Sequence, residues 1–260
     1  MAETAELAAE LYAALRGRYT VPPLAARHPH LTIDDAYAIS LDFLRRREAD
    51  GERVIGKKIG VTSKPVQDML GVHQPDFGFL TDAMWVADAS TIDIKAQNLI
   101  QPRAEAEIAF VLASNLAGPS VTAEAVLAAT EFIVPCFEIV DSRIENWKIG
   151  IIDTVSDNAS CGVFVLGTAR VPPANLDLPA LHVRVTKNGK FLSEGLGSAV
   201  QGSPLNAVAW LANTLGRYGV PLKAGEIILS GSLVPLEPAA AGDHFEMNLE
   251  GIGGATIRFA

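Results

Sequence analysis

The chain has 260 residues, 49% of them hydrophobic and 20% charged, with a net charge of −9. That length suits one large domain or a core with a small appendage, and an acidic balance without a basic run excludes nucleic acid and anionic membrane as natural partners. Apolar runs fall short of a membrane span, the N-terminus lacks the basic start of a signal peptide, and Cys136 and Cys161 read as reduced core thiols, so a soluble cytoplasmic protein is expected.

In chain order, Leu7, Leu11, Ala14 and Leu15 at helical spacing predict a helix over 3–17. A connector with Pro22-Pro23 follows. Thr32-Ile33-Asp34-Asp35 then opens a charged amphipathic helix that runs to about Ala49. Val54–Val61 reads as a short strand and Ser63–Leu70 as a helix closed by Gly71. Gly71–Leu80 reads as a turn-rich loop. From about Thr91 β signals dominate, with strands expected at 92–95, 104–113, 131–140, 161–167, 181–187, 190–195, 226–230, 243–249 and 254–259. Asn188-Gly189 marks a tight hairpin. Helices are expected at 122–130 and at 203–217, the latter with Ser203 as cap and Pro204 at its first position. The class is α+β, with residues 1–90 as an N-terminal region and 91–260 as a β-rich core.

Chemistry concentrates where carboxylates interrupt apolar strands. In Arg103–Leu112, Glu105 and Glu107 share a strand face, where two like charges repel and are costly to desolvate. Either both stand in water or a hard divalent cation neutralises them. Glu138 shares its face with Val134, Cys136 and Val140, so it needs a partner: Arg143 or Arg103 as a salt bridge, or a metal shared with Glu105 and Glu107.

Lys57 and Lys58 are adjacent on a strand and face opposite sides. Both in solvent is the plain expectation; an inward Lys58 beside a cation would have a lowered pKa and could transfer protons. Asp76 is ordinarily a turn residue, and His73 a surface loop histidine although it is a general base by type. The remaining histidines show no metal-ligand spacing. Asp153–Gly162 reads as a polar loop, and Ser230-Gly231-Ser232 as a turn that would also admit close approach of a ligand carboxylate. Phosphate-loop, dinucleotide and serine-hydrolase signatures are absent from the sequence.

Five segments occur in a telling order: Lys58-Ile59-Gly60 with Thr62-Ser63, Gln74–Gly78, Glu105–Phe110, Glu138–Arg143 and Asp157–Ser160. Together they resemble the hydratase/decarboxylase branch of the fumarylacetoacetate hydrolase superfamily, over nearly the whole chain. The resemblance implies mixed strands rolled into a distorted barrel with a smaller helical N-terminal region. It implies Mg²⁺ or Mn²⁺ on Glu105, Glu107 and Glu138, Lys58 and Asp76 as the catalytic pair, substrate contacts from Ser160 and Ser232, and a homo-oligomer. A paralogous decarboxylase of the same pathway is a candidate partner.

The implied activity is addition of water to 2-hydroxypenta-2,4-dienoate in meta-cleavage of aromatics. In this branch an apolar residue commonly replaces Asp76 in the decarboxylases, so Asp76 argues against decarboxylation of a 2-oxo-3-enedioate. Carbon–carbon hydrolysis of an acylpyruvate would have only His73 as a plausible histidine. A non-catalytic subunit with salt-bridged carboxylates is the reading from another class.

Overall fold

The computed structural model describes residues 2–260. Helix α1 (Ala2–Gly17) buries Leu7, Leu11 and Leu15 against Ile39 and Phe43 of α3 (Ile33–Ala49), and a one-turn α2 (Leu24–Arg27) lies between them in sequence. Thr32 starts α3 as expected: its hydroxyl accepts the Asp35 N–H, and the Asp35 carboxylate accepts the Thr32 N–H.

Strand β1 (Val54–Gly60) leads through α4 (Lys64–Leu70), which ends at a left-handed Gly71, into β2 (Asp76–Thr81). The expected loop over Gly71–Leu80 is therefore a strand in its second half, and all six of that strand's residues are buried. Turn residues mark its start, but β1 pairs with it in an antiparallel register from Val54 to Gly60. That long-range pairing overrides the local turn signal.

Short β3 (Trp85–Val86) and β4 (Thr91–Ile92) follow. The strand expected over 92–95 stops at Ile92, because the Asp93 carboxylate accepts the N–H groups of Lys95 and Ala96 and turns the chain. Next come β5 (Arg103–Leu112), α5 (Ala123–Ala129), β6 (Thr130–Val140), α6 (Ile151–Ser156) and β7 (Cys161–Leu166). Helix α6 occupies part of the segment read as a polar loop. Then follow β8 (His182–Lys187), β9 (Lys190–Leu196), α7 (Pro204–Gly216), β10 (Ile227–Ser232), β11 (Glu237–Pro238), β12 (His244–Leu249) and β13 (Gly253–Phe259).

Among the described residues the strands form two sheets. A mixed eight-stranded sheet runs β2-β1-β10-β5-β6-β7-β3, with β11 also on β5, and a five-stranded sheet runs β4-β13-β12-β8-β9. They curl into a distorted half-barrel. Its main core gathers Ile108, Phe110, Phe137, Phe245, Ile257 and the inner face of α7. Since β1 and β2 join the same sheet as β5 and β6, residues far apart in sequence meet on one surface. Among the described residues both cysteines are free and buried, and no helix is long and apolar enough to cross a membrane.

Candidate active site

Strand register builds the site. On the β1–β2 pair, Lys58 stands opposite Gly78 and Asp76 opposite Gly60. Each charged residue thus pairs with a glycine, and both side chains approach the space left at Gly60. A β-carbon on Gly60 would lie 2.3 Å from Asp76 Oδ1 and 3.3 Å from Lys58 Nζ. Gly78 has its own constraint, since a β-carbon there would lie 2.4 Å from the Asn158 carbonyl oxygen.

Strand alternation sends Lys57 to the other side, but not into solvent as expected. It is buried and donates to both carboxylate oxygens of Glu226, at 2.6 and 2.7 Å. Burial lowers its pKa and Glu226 resists the change.

On the neighbouring pair, Glu105 faces Glu138 directly across β5 and β6, and Glu107 is opposite Cys136. The three glutamates offer oxygens that all lie within 4.8 Å of one another. Directly opposed like charges destabilise a sheet, and here they are also desolvated. Burial raises the Glu105 carboxyl to about 7, and the charge of Glu138 adds to it. Burial followed by Glu138 and Glu105 pushes Glu107 up further. Glu107 accepts the Gly231 N–H through Oε2 at 2.8 Å. Its other oxygen and both oxygens of Glu138 are buried without a hydrogen bond.

These three carboxylates facing one another leave buried acceptors that a cation would satisfy. Lys58 supplies part of that charge, its Nζ 3.2 Å from Glu138 Oε1. Neither Arg143 nor Arg103 fills the role: Arg143 pairs with Asp157, and Arg103 lies over the Trp147 ring. An all-oxygen set with unpartnered lone pairs fits a hard divalent ion. A cation nearby was expected to lower the Lys58 pKa. With the carboxylates unneutralised, burial works in that direction but Glu138 and Asp76 outweigh it, and the pKa is held above the ordinary lysine value.

Asp76 is buried with Oδ1 free of hydrogen bonds. Its Oδ2 accepts the Thr154 hydroxyl at 3.3 Å, and Ser160 Oγ lies 3.3 Å from Thr154 Oγ. Burial raises the Asp76 carboxyl, against the pull of Lys58. Thr154 comes from α6 and Ser160 from the turn after it, where Asn158, Ala159 and Ser160 have φ of 54°, 50° and 52°. Three consecutive left-handed residues that are not glycine store strain. Long-range bonds hold them there. The Asn158 side chain accepts the Phe79 N–H at 2.8 Å and donates to the Phe79 carbonyl at 3.0 Å. Beside it, Arg143 Nε donates to Asp157 Oδ1 at 2.5 Å and Nη2 to the Asp157 carbonyl at 2.6 Å, all buried. Burial still raises the Asp157 carboxyl to about 6 despite Arg143.

Ser232 sits across from Glu107 and donates to the Val234 carbonyl at 2.7 Å. Ser230 is turned away, bonded to the Ile108 carbonyl. A polar cavity of about 400 Å³ lined by Thr62, Lys64, Gln67, Ser198 and Gln201 opens beside this end of the sheet. Thr62 packs on Gly231, whose N–H holds Glu107.

The structure thus gathers Lys58, Asp76, Glu105, Glu107, Glu138 and Ser160 around one buried region, with Ser232 at its edge. His73 stays exposed. In the sequence Gly60 and Asn158 stand only as members of motif segments, without a role, and Thr154 is not singled out; their contacts with Asp76 and Phe79 supply the roles. A second cluster, also unexpected from spacing, lies at the surface, where Glu3 meets His28 and His30 at 2.8 and 3.0 Å. Its groups satisfy one another.

A family model described as "Fumarylacetoacetate (FAA) hydrolase C-terminal" matches residues 55–260. A 2-hydroxyhexa-2,4-dienoate hydratase of Comamonas testosteroni is 66% identical over 249 residues, covering 96% of this chain and 94% of its own. A 2-hydroxypent-2,4-dienoate hydratase of Pseudomonas putida is 60% identical over 215 residues, covering 83% and 96%. Among solved structures, a 4-oxalocrotonate decarboxylase from Pseudomonas putida, complexed with magnesium and adipate, aligns with a TM-score of 0.96 at 35% identity over 99% of this chain and 97% of its own. The chain belongs to the fumarylacetoacetate hydrolase family.

Proposed function

We propose that this chain is a divalent-metal-dependent hydro-lyase. It adds water to 2-hydroxypenta-2,4-dienoate and its near homologues, and from the first of these gives 4-hydroxy-2-oxopentanoate, in meta-cleavage degradation of aromatics. The observation that carries the reading is the Asp76 carboxylate, one oxygen unbonded, beside Lys58 and the glutamate cluster. The names of the 66% and 60% identical relatives support it.

Mg²⁺ or Mn²⁺ held by Glu105, Glu107 and Glu138 would supply Lewis acidity to the 2-oxo acid end of the substrate. The chain's own groups would do the rest. Lys58 exchanges a proton at the C2 oxygen. Loss of the enol proton and protonation at C5 give the 2-oxo-3-enoate. Asp76 then orients a water at C4 and takes its proton as the oxygen adds, and C3 gains the last proton. A carboxyl whose pKa is raised by burial is a better base near neutrality than an exposed one. Thr154 fixes the Asp76 oxygen that faces away from the water, and Ser160 and Ser232 contribute hydroxyls toward the substrate.

Decarboxylation of a 2-oxo-3-enedioate is the second reading, favoured by the likeness to a decarboxylase structure. It needs no activated water, and the Asp76 charge would oppose a second substrate carboxylate. The two free thiols fit a reducing compartment, and Phe191 and Leu196, exposed on edge strand β9, offer a surface for self-association into a homo-oligomer.

The test is ultraviolet spectroscopy of freshly generated 2-hydroxypentadienoate with protein, with and without Mg²⁺, and identification of the product. Metal-dependent loss of the dienoate with formation of 4-hydroxy-2-oxopentanoate is expected. Faster release of CO₂ from a 2-oxo-3-enedioate would favour the second reading.

A further inference from the structure

Among the described residues β2, which carries Asp76, is the last strand of the eight-stranded sheet and pairs with β1 on one side only, yet its whole length is buried. Its open side is covered by the turn Asn158–Ser160. There the Asn158 side chain does what a neighbouring strand would do. Its Oδ1 accepts the Phe79 N–H at 2.8 Å and its Nδ2 donates to the Phe79 carbonyl at 3.0 Å. One side-chain amide thus satisfies both backbone groups that an edge residue leaves unpaired. Gly78 lets the turn come this close, since a β-carbon there would lie 2.4 Å from the Asn158 carbonyl oxygen. Asn158 holds a φ of 54°, which asparagine tolerates better than most residues.

The same turn is pinned to the strand that bears Glu138. Asp157, the residue before Asn158, accepts from the Arg143 guanidinium and from the Arg143 N–H at 2.8 Å, and Arg143 lies just past the end of β6. The Asp141 N–H donates to the Ser160 carbonyl at 2.7 Å. Ser160 Oγ in turn reaches Thr154 Oγ, whose hydroxyl bonds Asp76. The turn therefore spans from the strand of Glu138 to the strand of Asp76, and the Asn158 amide is its grip on Phe79.

We propose that Asn158 is a positioning residue: standing in for a strand along the open side of β2, it sets Asp76 relative to the glutamate cluster. Its effect on turnover rests on the dienoate reading above. A strand bonded on one side only can shift, and a shift on the order of an ångström is costly for a group that must meet a reacting carbon. Water addition at C4 needs Asp76 in place. Proton exchange at C5 draws on Lys58 and the glutamates, which stand on β1, β5 and β6, inside the sheet. Loss of Asn158 should therefore separate the two reactions.

Asn158→Gly keeps the left-handed backbone without steric cost and removes both bonds. By NMR, exchange of the Phe79 N–H with solvent should speed up by roughly tenfold or more. With Mg²⁺ and 2-hydroxypentadienoate in deuterated water, formation of the 4-hydroxy product per folded molecule should fall about thirtyfold, while KM and deuterium entry at C5 stay within about twofold. Asn158→Asp keeps an acceptor for the Phe79 N–H but sets a carboxylate against the Phe79 carbonyl. It should show the same separation, and it carries the test if Asn158→Gly does not fold. An Asn158 that only stabilised the turn would lower Tm and leave the ratio of hydration to C5 exchange at its wild-type value. That result overturns the proposal, as does Phe79 exchange in Asn158→Gly as slow as in the wild type. A wild type that hydrates no dienoate would remove the hydratase reading; faster Phe79 exchange together with a displaced Asp76 in a crystal structure of Asn158→Gly would then still sustain the positioning role, and an unmoved Asp76 would end it.

Discussion

Asp76 holds one carboxylate oxygen in the space that a side chain on Gly60 would fill. A β-carbon there would stand 2.3 Å from Asp76 Oδ1 and 3.3 Å from Lys58 Nζ. The absence of one methyl group therefore lets base and ammonium converge. Gly60→Ala should push Asp76 aside and lower kcat about a hundredfold, the scale of an ångström misplacement. Mg²⁺ affinity, measured by calorimetry, should change little, because the glutamates lie on other strands. Wild-type kcat in this variant would mean that Asp76 works from elsewhere.

The two adjacent lysines should separate by phenotype. Lys58→Met removes a proton-transfer group and should cost a hundredfold or more in kcat. Lys57→Met leaves Glu226, only 12% exposed, without its cation. It should destabilise the fold by about 3 kcal/mol in urea unfolding, as for a broken buried pair, with turnover per folded molecule largely kept. The opposite ranking would place the wrong face of β1 toward the site.

Thr154 is a positioning residue for Asp76 rather than a catalytic one. Thr154→Val keeps the shape and removes the hydroxyl that bonds Asp76 Oδ2. Without that bond Asp76 becomes more basic but less fixed, so kcat should fall about tenfold and the acidic limb of its pH profile should move upward. Thr154→Ser should restore both. A Val variant with an unmoved profile would make the contact merely structural.

Metal removal should expose the glutamate repulsion in a pH-dependent way. Glu105 rises from its ordinary 4.5 to about 7 in the fold, and Glu107 rises further. Acids with raised folded pKa values bind protons more tightly when folded, so the metal-free protein loses stability as pH climbs from about 4.5 through about 7. Divalent ions need the ionised carboxylates and offset that loss. The Tm difference between Mg²⁺-loaded and chelator-treated protein should therefore be wider at pH 8 than at pH 5.5. Glu107→Gln should narrow it at pH 8. An equal gap at both pH values would contradict a metal on these residues.

Much of the site was legible because it follows strand periodicity. Glu105 and Glu107 alternate with core residues on β5, and Glu138 is embedded among apolar neighbours on β6. What escaped the sequence depends on partners far away. Asp76, which the resemblance placed in the catalytic pair, looks by its local residues alone like a turn residue until β1 pairs with its segment. Lys57 looks solvated because Glu226 stands 169 residues further on. The left-handed turn at Asn158–Ser160 has no glycine to announce it; the Asn158 bonds to Phe79 and the buried Arg143–Asp157 pair stabilise it, and neither is local to the turn's backbone preference.

The claim that Asp76 serves water addition is tested most directly by following two reactions of one substrate by NMR in deuterated water. Asp76→Asn should bind Mg²⁺ and fold as the wild type does. It should exchange deuterium into the C5 position of the dienoate at a substantial rate, since that step depends on Lys58 and the metal end of the site. Formation of the 4-hydroxy product should fall by at least a hundredfold. Hydration by Asp76→Asn at the wild-type rate would contradict the account.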